Sequence, residues 1–133
     1  MSQDNVAVIR RIYQGFSTGD IPAALGAMDP GIVWNEAENS PYADGNPYIG
    51  PQAVLDGVFA RIGGEWDGFG VDIAELLDAG DTVVMTGRYT GTFLATGLTQ
   101  NPQVVHVWKV KNGKAISFQQ HVDTAHVRRV MGA

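Results

Sequence analysis

The chain contains no cysteine, which excludes disulfides, thiolate metal sites and a cysteine nucleophile. Long apolar runs are also missing, and the longest fall far short of the roughly 20 residues a membrane-spanning helix needs. The opening residues, Met1-Ser2-Gln3-Asp4-Asn5, carry neither a basic segment nor a hydrophobic core, so no secretory signal is expected and a cytoplasmic location is. Positive charge is scarce: 9 Lys and Arg stand against 14 Asp and Glu, a net charge of −5. The basic residues are dispersed and form no stripe, which argues against a nucleic-acid partner. No phosphate-binding loop, dinucleotide fingerprint or nucleophile elbow occurs. His-x-His and His-x-x-x-His spacings are absent too, so neither a metal nor a cofactor is expected.

What is present fits one domain of 133 residues, 44% of them hydrophobic. Val6, Ile9, Ile12, Tyr13 and Phe16 recur on one helical face, with Gly19 as a left-handed stop. Asp20 caps a second short helix, Asp29-Pro30-Gly31 reads as a turn, and Ile32-Val33-Trp34 as a short strand. Residues 37–50 are irregular but carry Tyr42, Tyr48 and Ile49, so they read as a rim over a pocket, or as a packed surface loop. Gly50-Pro51 opens a third helix with Val54, Leu55, Val58, Phe59 and Ile62 on its apolar stripe.

The period then changes to two. Phe69, Val71 and Ile73 alternate with polar or small neighbours, and Thr82 to Thr92 reads as a long strand after the Ala79-Gly80-Asp81 turn. Val104–Lys111 and Ala115–Asp123 form a hairpin about Asn112-Gly113. The expected architecture is α+β: three N-terminal helices packed on one face of a cone-shaped, curved antiparallel sheet.

A two-residue turn at Asn112-Gly113 would pair His106 with Gln119 and Trp108 with Ser117. One face would then carry Val104, His106, Trp108, Val110, Ser117, Gln119, His121 and Asp123. The other would carry Val105, Val107, Ile116, Phe118, Gln120 and Val122 with lysines near the turn. So many polar groups on one face are tolerable around a cavity, since each unpaired buried one costs about 1–3 kcal/mol. His106 reads either as a cavity group or as a core histidine satisfied by Gln119. The apolar outer face, with Phe118 and Val122, predicts a homodimer formed sheet to sheet.

Several segments together resemble the nuclear transport factor 2-like superfamily, in its SnoaL-like and ketosteroid-isomerase-related branch. They are Phe16-Ser17-Thr18-Gly19-Asp20, Val33-Trp34-Asn35-Glu36, Tyr48-Ile49-Gly50-Pro51, Ala79-Gly80-Asp81-Thr82-Val83-Val84, His106-Val107-Trp108 and Val122-Asp123-Thr124. The resemblance implies the cone fold and a site inside it. Where the isomerases carry their oxyanion tyrosine, base aspartate and protonated aspartate, this chain reads Ile12 (with Tyr13 beside it), Asn35 and His106. Steroid isomerisation is therefore not expected. Glu36 becomes a possible base on a one-residue slip, although alternation aims it away from the side Asn35 faces. The SnoaL-like cyclases imply a late-strand acid/base aspartate, which falls on Asp123.

The expected function is thus cofactor-free proton transfer on a small apolar carbonyl compound. Asp123 would be the base and His106 the hydrogen-bond donor, with Tyr13, Trp34, Tyr48, Phe59, Trp108, Gln119 and His121 contacting the ligand. The alternative is a non-catalytic binder or carrier of a hydrophobic ligand.

Overall fold

Three helical segments lie against one face of a six-stranded sheet in the computed structural model, which describes residues 2–133. The first helix, α1 (Ser2–Thr18), buries Val8, Ile9, Ile12 and Tyr13 and ends at Gly19, whose φ of 78° is left-handed as expected. Asp20 caps α2 (Ile21–Gly26), its carboxylate accepting from the Ala23 amide at 3.2 Å. Strand β1 (Met28–Asn35) follows, interrupted by a bulge at Asp29 to Gly31 where a free-standing turn was expected. After a 3₁₀ turn (Pro41–Gly45), β2 (Tyr48–Ile49) leads into α3 (Pro51–Val54). A π-helical turn (Leu55–Phe59) joins α3 to α4 (Ala60–Glu65). Strands β3 (Trp66–Ala79), β4 (Thr82–Phe93), β5 (Gln103–Lys111) and β6 (Lys114–Val122) complete the sheet. No described helix is long and apolar enough to cross a membrane.

The sheet order is β2-β1-β6-β5-β4-β3. It is mixed and not wholly antiparallel, because β1 runs parallel to β6, with Trp34 opposite Phe118.

The β5–β6 hairpin departs from the expected register in one decisive way. Its turn is as expected, with both Asn112 (φ 52°) and Gly113 (φ 75°) left-handed. Val110 pairs with Ala115, yet Lys109 pairs with Ser117, so Ile116 is an extra residue in a β-bulge. Beyond it Trp108 faces Phe118, His106 faces Gln120 and Val104 faces Val122. A one-residue slip flips every later side chain. Phe118, Gln120 and Val122 point inward, while Ser117, Gln119 and His121 point outward. Burial explains the choice: the bulge places Phe118, only 2% exposed, in a stack on Trp34 at 3.7 Å between ring centroids. The uninterrupted register would instead have buried Ser117, Gln119 and His121.

One element was not expected. Helix α5 (Thr124–Met131) is capped by Asp123, which accepts from the His126 amide at 3.2 Å, and it ends at left-handed Gly132. It buries Val127 and Val130 against the rest of the fold and is tied down by Thr96, whose hydroxyl donates to the Val130 carbonyl at 2.6 Å.

Candidate functional site

Between the helices and the inner sheet face lies a cavity of about 60 Å³. Its wall is mostly aromatic, with Phe16, Trp34, Phe59, Trp66, Phe69 and Trp108 among the contributors, and Val127 and Met131 of α5 close one side. A dry cavity of about 150 Å³ holds a benzene, so the space as it stands suits a smaller occupant. Larger ligands need the half-buried Phe59 or Met131 to swing aside.

Besides Ser40, Tyr42 and Gln100, the polar groups in this wall fall into two sets. The first is a chain built on β4, β5, β6 and α1. The Trp108 indole donates to Tyr13 Oη at 2.9 Å, and Tyr13 Oη lies 2.7 Å from His106 Nδ1. On the other side of the imidazole, Nε2 is 2.6 Å from Tyr89 Oη, which accepts from the Gln120 amide at 2.7 Å. The Gln120 carbonyl oxygen accepts from the Ala37 amide at 3.0 Å, which fixes the orientation of its side chain. Burial holds His106 down to about 3 and neutral, and raises the hydroxyls of Tyr13 and Tyr89 above their ordinary range.

The second set is a single carboxyl. Glu36 follows β1 and is 3% exposed. Burial pushes it up to about 7, opposed by the Trp34 indole, by the Arg61 charge and by Gln120. The Trp34 indole donates to its Oε2 at 2.8 Å. Asn46 clasps its backbone, accepting from the Glu36 amide at 3.0 Å and donating to the Glu36 carbonyl at 2.8 Å. Rim residues brace this loop further. Tyr42 donates to Glu65 at 2.6 Å and lies under the Arg61 guanidinium, which is paired with Asp44 at 2.8 Å.

The expected site residues divide accordingly. Tyr13, Trp34, Phe59, His106 and Trp108 line the cavity. Gln119 and His121 do not, because the bulge turns them outward to a second hollow, whose wall also includes Glu36 and Gln120. Asp123 is exposed and caps α5, so its carboxylate serves a helix terminus and not the cavity. Tyr48 is buried elsewhere, wedged between Gly45 and Gly57, where an added Cβ would stand 2.5 and 2.1 Å from its ring. Its hydroxyl donates to the Tyr42 carbonyl at 2.6 Å. His106 is buried as a cavity group, satisfied by two tyrosines and not by Gln119.

Sequence reasoning missed Tyr89, Gln120 and the inward aim of Glu36. The alternation Ile32, Trp34, Glu36 was the available signal, since two apolar members of that series are buried. Tyr89 lies on the inward series Val83, Met85, Tyr89 of β4, paired with Val71. Gln120 carried no signal without the bulge.

The cone, its aromatic cavity and the paired polar sets define a small-molecule site of the kind SnoaL-like proteins carry. A profile of the SnoaL-like domain matches residues 9–118, and the chain belongs to that family. Among solved structures it is similar to an NTF2-like protein of Burkholderia thailandensis E264, at 36% identity and a TM-score of 0.89 over 95% of each chain. It is also similar to TerC, crystallised with polyporic acid, at 27% identity and a TM-score of 0.87 over 98% of this chain and 99% of that one. Bal32a, from a soil-derived mobile gene cassette, is 25% identical with a TM-score of 0.87 over 98% of each chain. No curated protein matches the chain.

Proposed function

We propose that this protein binds a small, largely apolar carbonyl compound inside the cone and moves a proton on it without a cofactor. Glu36 is the acid/base group, and a tyrosine hydroxyl beside His106 hydrogen-bonds the carbonyl oxygen as charge develops there. One observation carries the reading: a carboxyl 3% exposed faces an aromatic cavity with its pKa pushed up to about 7. A carboxyl poised there is half ionised near neutrality and is a stronger base than an exposed one. The similarity to TerC, crystallised with polyporic acid, supports a small-molecule ligand.

The test is exchange of the α-protons of acetophenone for solvent deuterium, followed by NMR. Catalysed exchange is expected to rise with pH through about 7 and then level, because the ionised Glu36 is the active form. Glu36→Gln, which keeps the bond from Trp34, should slow exchange by about 10²–10⁴. Absence of exchange above the uncatalysed rate in the parent protein favours the carrier reading instead.

We also infer that two copies meet through the outer sheet face. Phe118 and Val122 are no longer part of it, but the half-buried Val105 and Val107 remain, and the exposed Val33 (38%) and Ile49 (55%) are added. Sedimentation at micromolar concentration checks this, and a monomer would refute it.

A further inference from the structure

Proton counting along the buried chain sets a limit on what the cavity can offer a ligand. Both ends of the chain are pure donors. An indole N–H can only donate, so Trp108 gives its proton to Tyr13; the Ala37 amide can only donate, so the Gln120 oxygen faces it and the Gln120 nitrogen gives its proton to Tyr89. Between these ends lie two links, Tyr13 to Nδ1 at 2.7 Å and Tyr89 to Nε2 at 2.6 Å. A neutral imidazole brings one N–H and each phenol one O–H, which makes three protons for two links. One is left over. With the proton on Nε2, Tyr13 must donate to Nδ1, and the Tyr89 hydroxyl is free. With the proton on Nδ1, Tyr89 must donate to Nε2, and the Tyr13 hydroxyl is free.

We propose that Tyr13, His106 and Tyr89 form a proton-ordering unit that presents a single hydroxyl to the ligand. His106 is its positioning residue, the ring tautomer selecting which tyrosine donates. The ligand this fits is uncharged and sets one carbonyl-type oxygen against these hydroxyls. No Lys or Arg lines the cavity, so no positive charge there offsets a carboxylate or phosphate, and neutral donors do not compensate such a group. Two fixed donors, by contrast, would favour an anionic oxygen already in the ground state. The inference rests on the cavity being the ligand site, and is independent of Glu36 acting as a base.

The test is nitrogen NMR of the His106 ring in the full-length, ligand-free protein, followed by titration with acetophenone and with benzoate. From neutral pH down to about pH 5 the ring should show one protonated and one bare nitrogen. Tyr13→Phe removes the acceptor opposite Nδ1 and should leave the proton on Nε2. Tyr89→Phe should leave it on Nδ1, because a buried N–H without an acceptor is the costlier orphan. Acetophenone should bind at least about tenfold more tightly than benzoate, since an uncompensated buried carboxylate costs several kcal/mol. Both nitrogens protonated in the parent protein, the same tautomer in both variants, or benzoate bound as well as acetophenone would each overturn the proposal. Should a variant fail to fold, the parent spectra and titrations decide alone. Glu36→Gln should still show one protonated and one bare ring nitrogen, so loss of proton exchange and loss of proton ordering are separately visible.

Discussion

His106 and Glu36 face the same cavity, and burial has shifted both toward their neutral forms, in opposite directions on the pH scale. His106 sits mid-strand on β5, gripped by α1 and β4, and both ring nitrogens are partnered. Glu36 sits just past the end of β1, on a loop held by Asn46 and by packed tyrosines. One region is a closed network whose protonation is fixed; the other is a single group that titrates near neutrality. A site that must hold geometry while exchanging a proton needs both kinds of region.

The difference has a thermodynamic signature. Glu36 holds its proton more tightly folded than unfolded, at about 7 against 4.5, so its contribution to stability is full below pH 4.5 and falls as the pH rises to about 7. His106 holds its proton less tightly folded, at about 3 against 6.5, so its contribution grows from about pH 3 and is complete above 6.5. Between 4.5 and 6.5 the unfolded chain carries one proton on the histidine and the folded chain one on the glutamic acid. The two slopes cancel there. Glu36→Gln should remove one of them and leave stability rising by about 1.4 kcal/mol per pH unit across that interval, read by denaturant melts. A parent curve as steep as the variant's would contradict the assignment.

A second change acts on the loop through Tyr48. Gly57→Ala places a methyl 2.1 Å from the Tyr48 ring and should cost about 1–3 kcal/mol in thermal or denaturant stability. Loosening Tyr48 should also lower the pKa of Glu36 toward its ordinary value, read in the pH dependence of exchange, while the His106 ring spectrum stays put. The smallest effect belongs to Asp123. Asp123→Ala removes the α5 cap and should cost about 1 kcal/mol, with proton exchange unchanged at saturating acetophenone. A hundredfold fall in exchange would return Asp123 to the chemistry.

Much of the fold was legible because local rules agreed with one another. The α1 stripe, the Gly19 stop, the Asp20 cap, Pro51 opening the third helix and the Asn112-Gly113 turn each have a short-range physical cause. So does the alternation that buries His106 and Trp108 on β5. Helix α5 was legible as well, from Asp123 as a cap followed by Val127, Val130 and Met131 at helical spacing, but a strand-end reading of Asp123 obscured it. The site was less legible, since two of its polar groups depend on a register the turn does not set by itself.

The sequence alone determined the first three helical stretches and the long strands, where the hairpin turns, and that β5 aims an imidazole and an indole to one side; α5, and the 3₁₀ turn and β2 inside the stretch read as irregular, were found only in the structure. Tertiary structure decided which side of β6 joins them. Alternation carries no information across a bulge, and the bulge at Ile116 exists because Phe118 gains more by stacking on Trp34, some 80 residues distant in the chain, than an unbroken ladder would return. The same choice set Gln120 beside Tyr89, and β1's parallel pairing with β6 brought Glu36 to the cavity in place of Asp123.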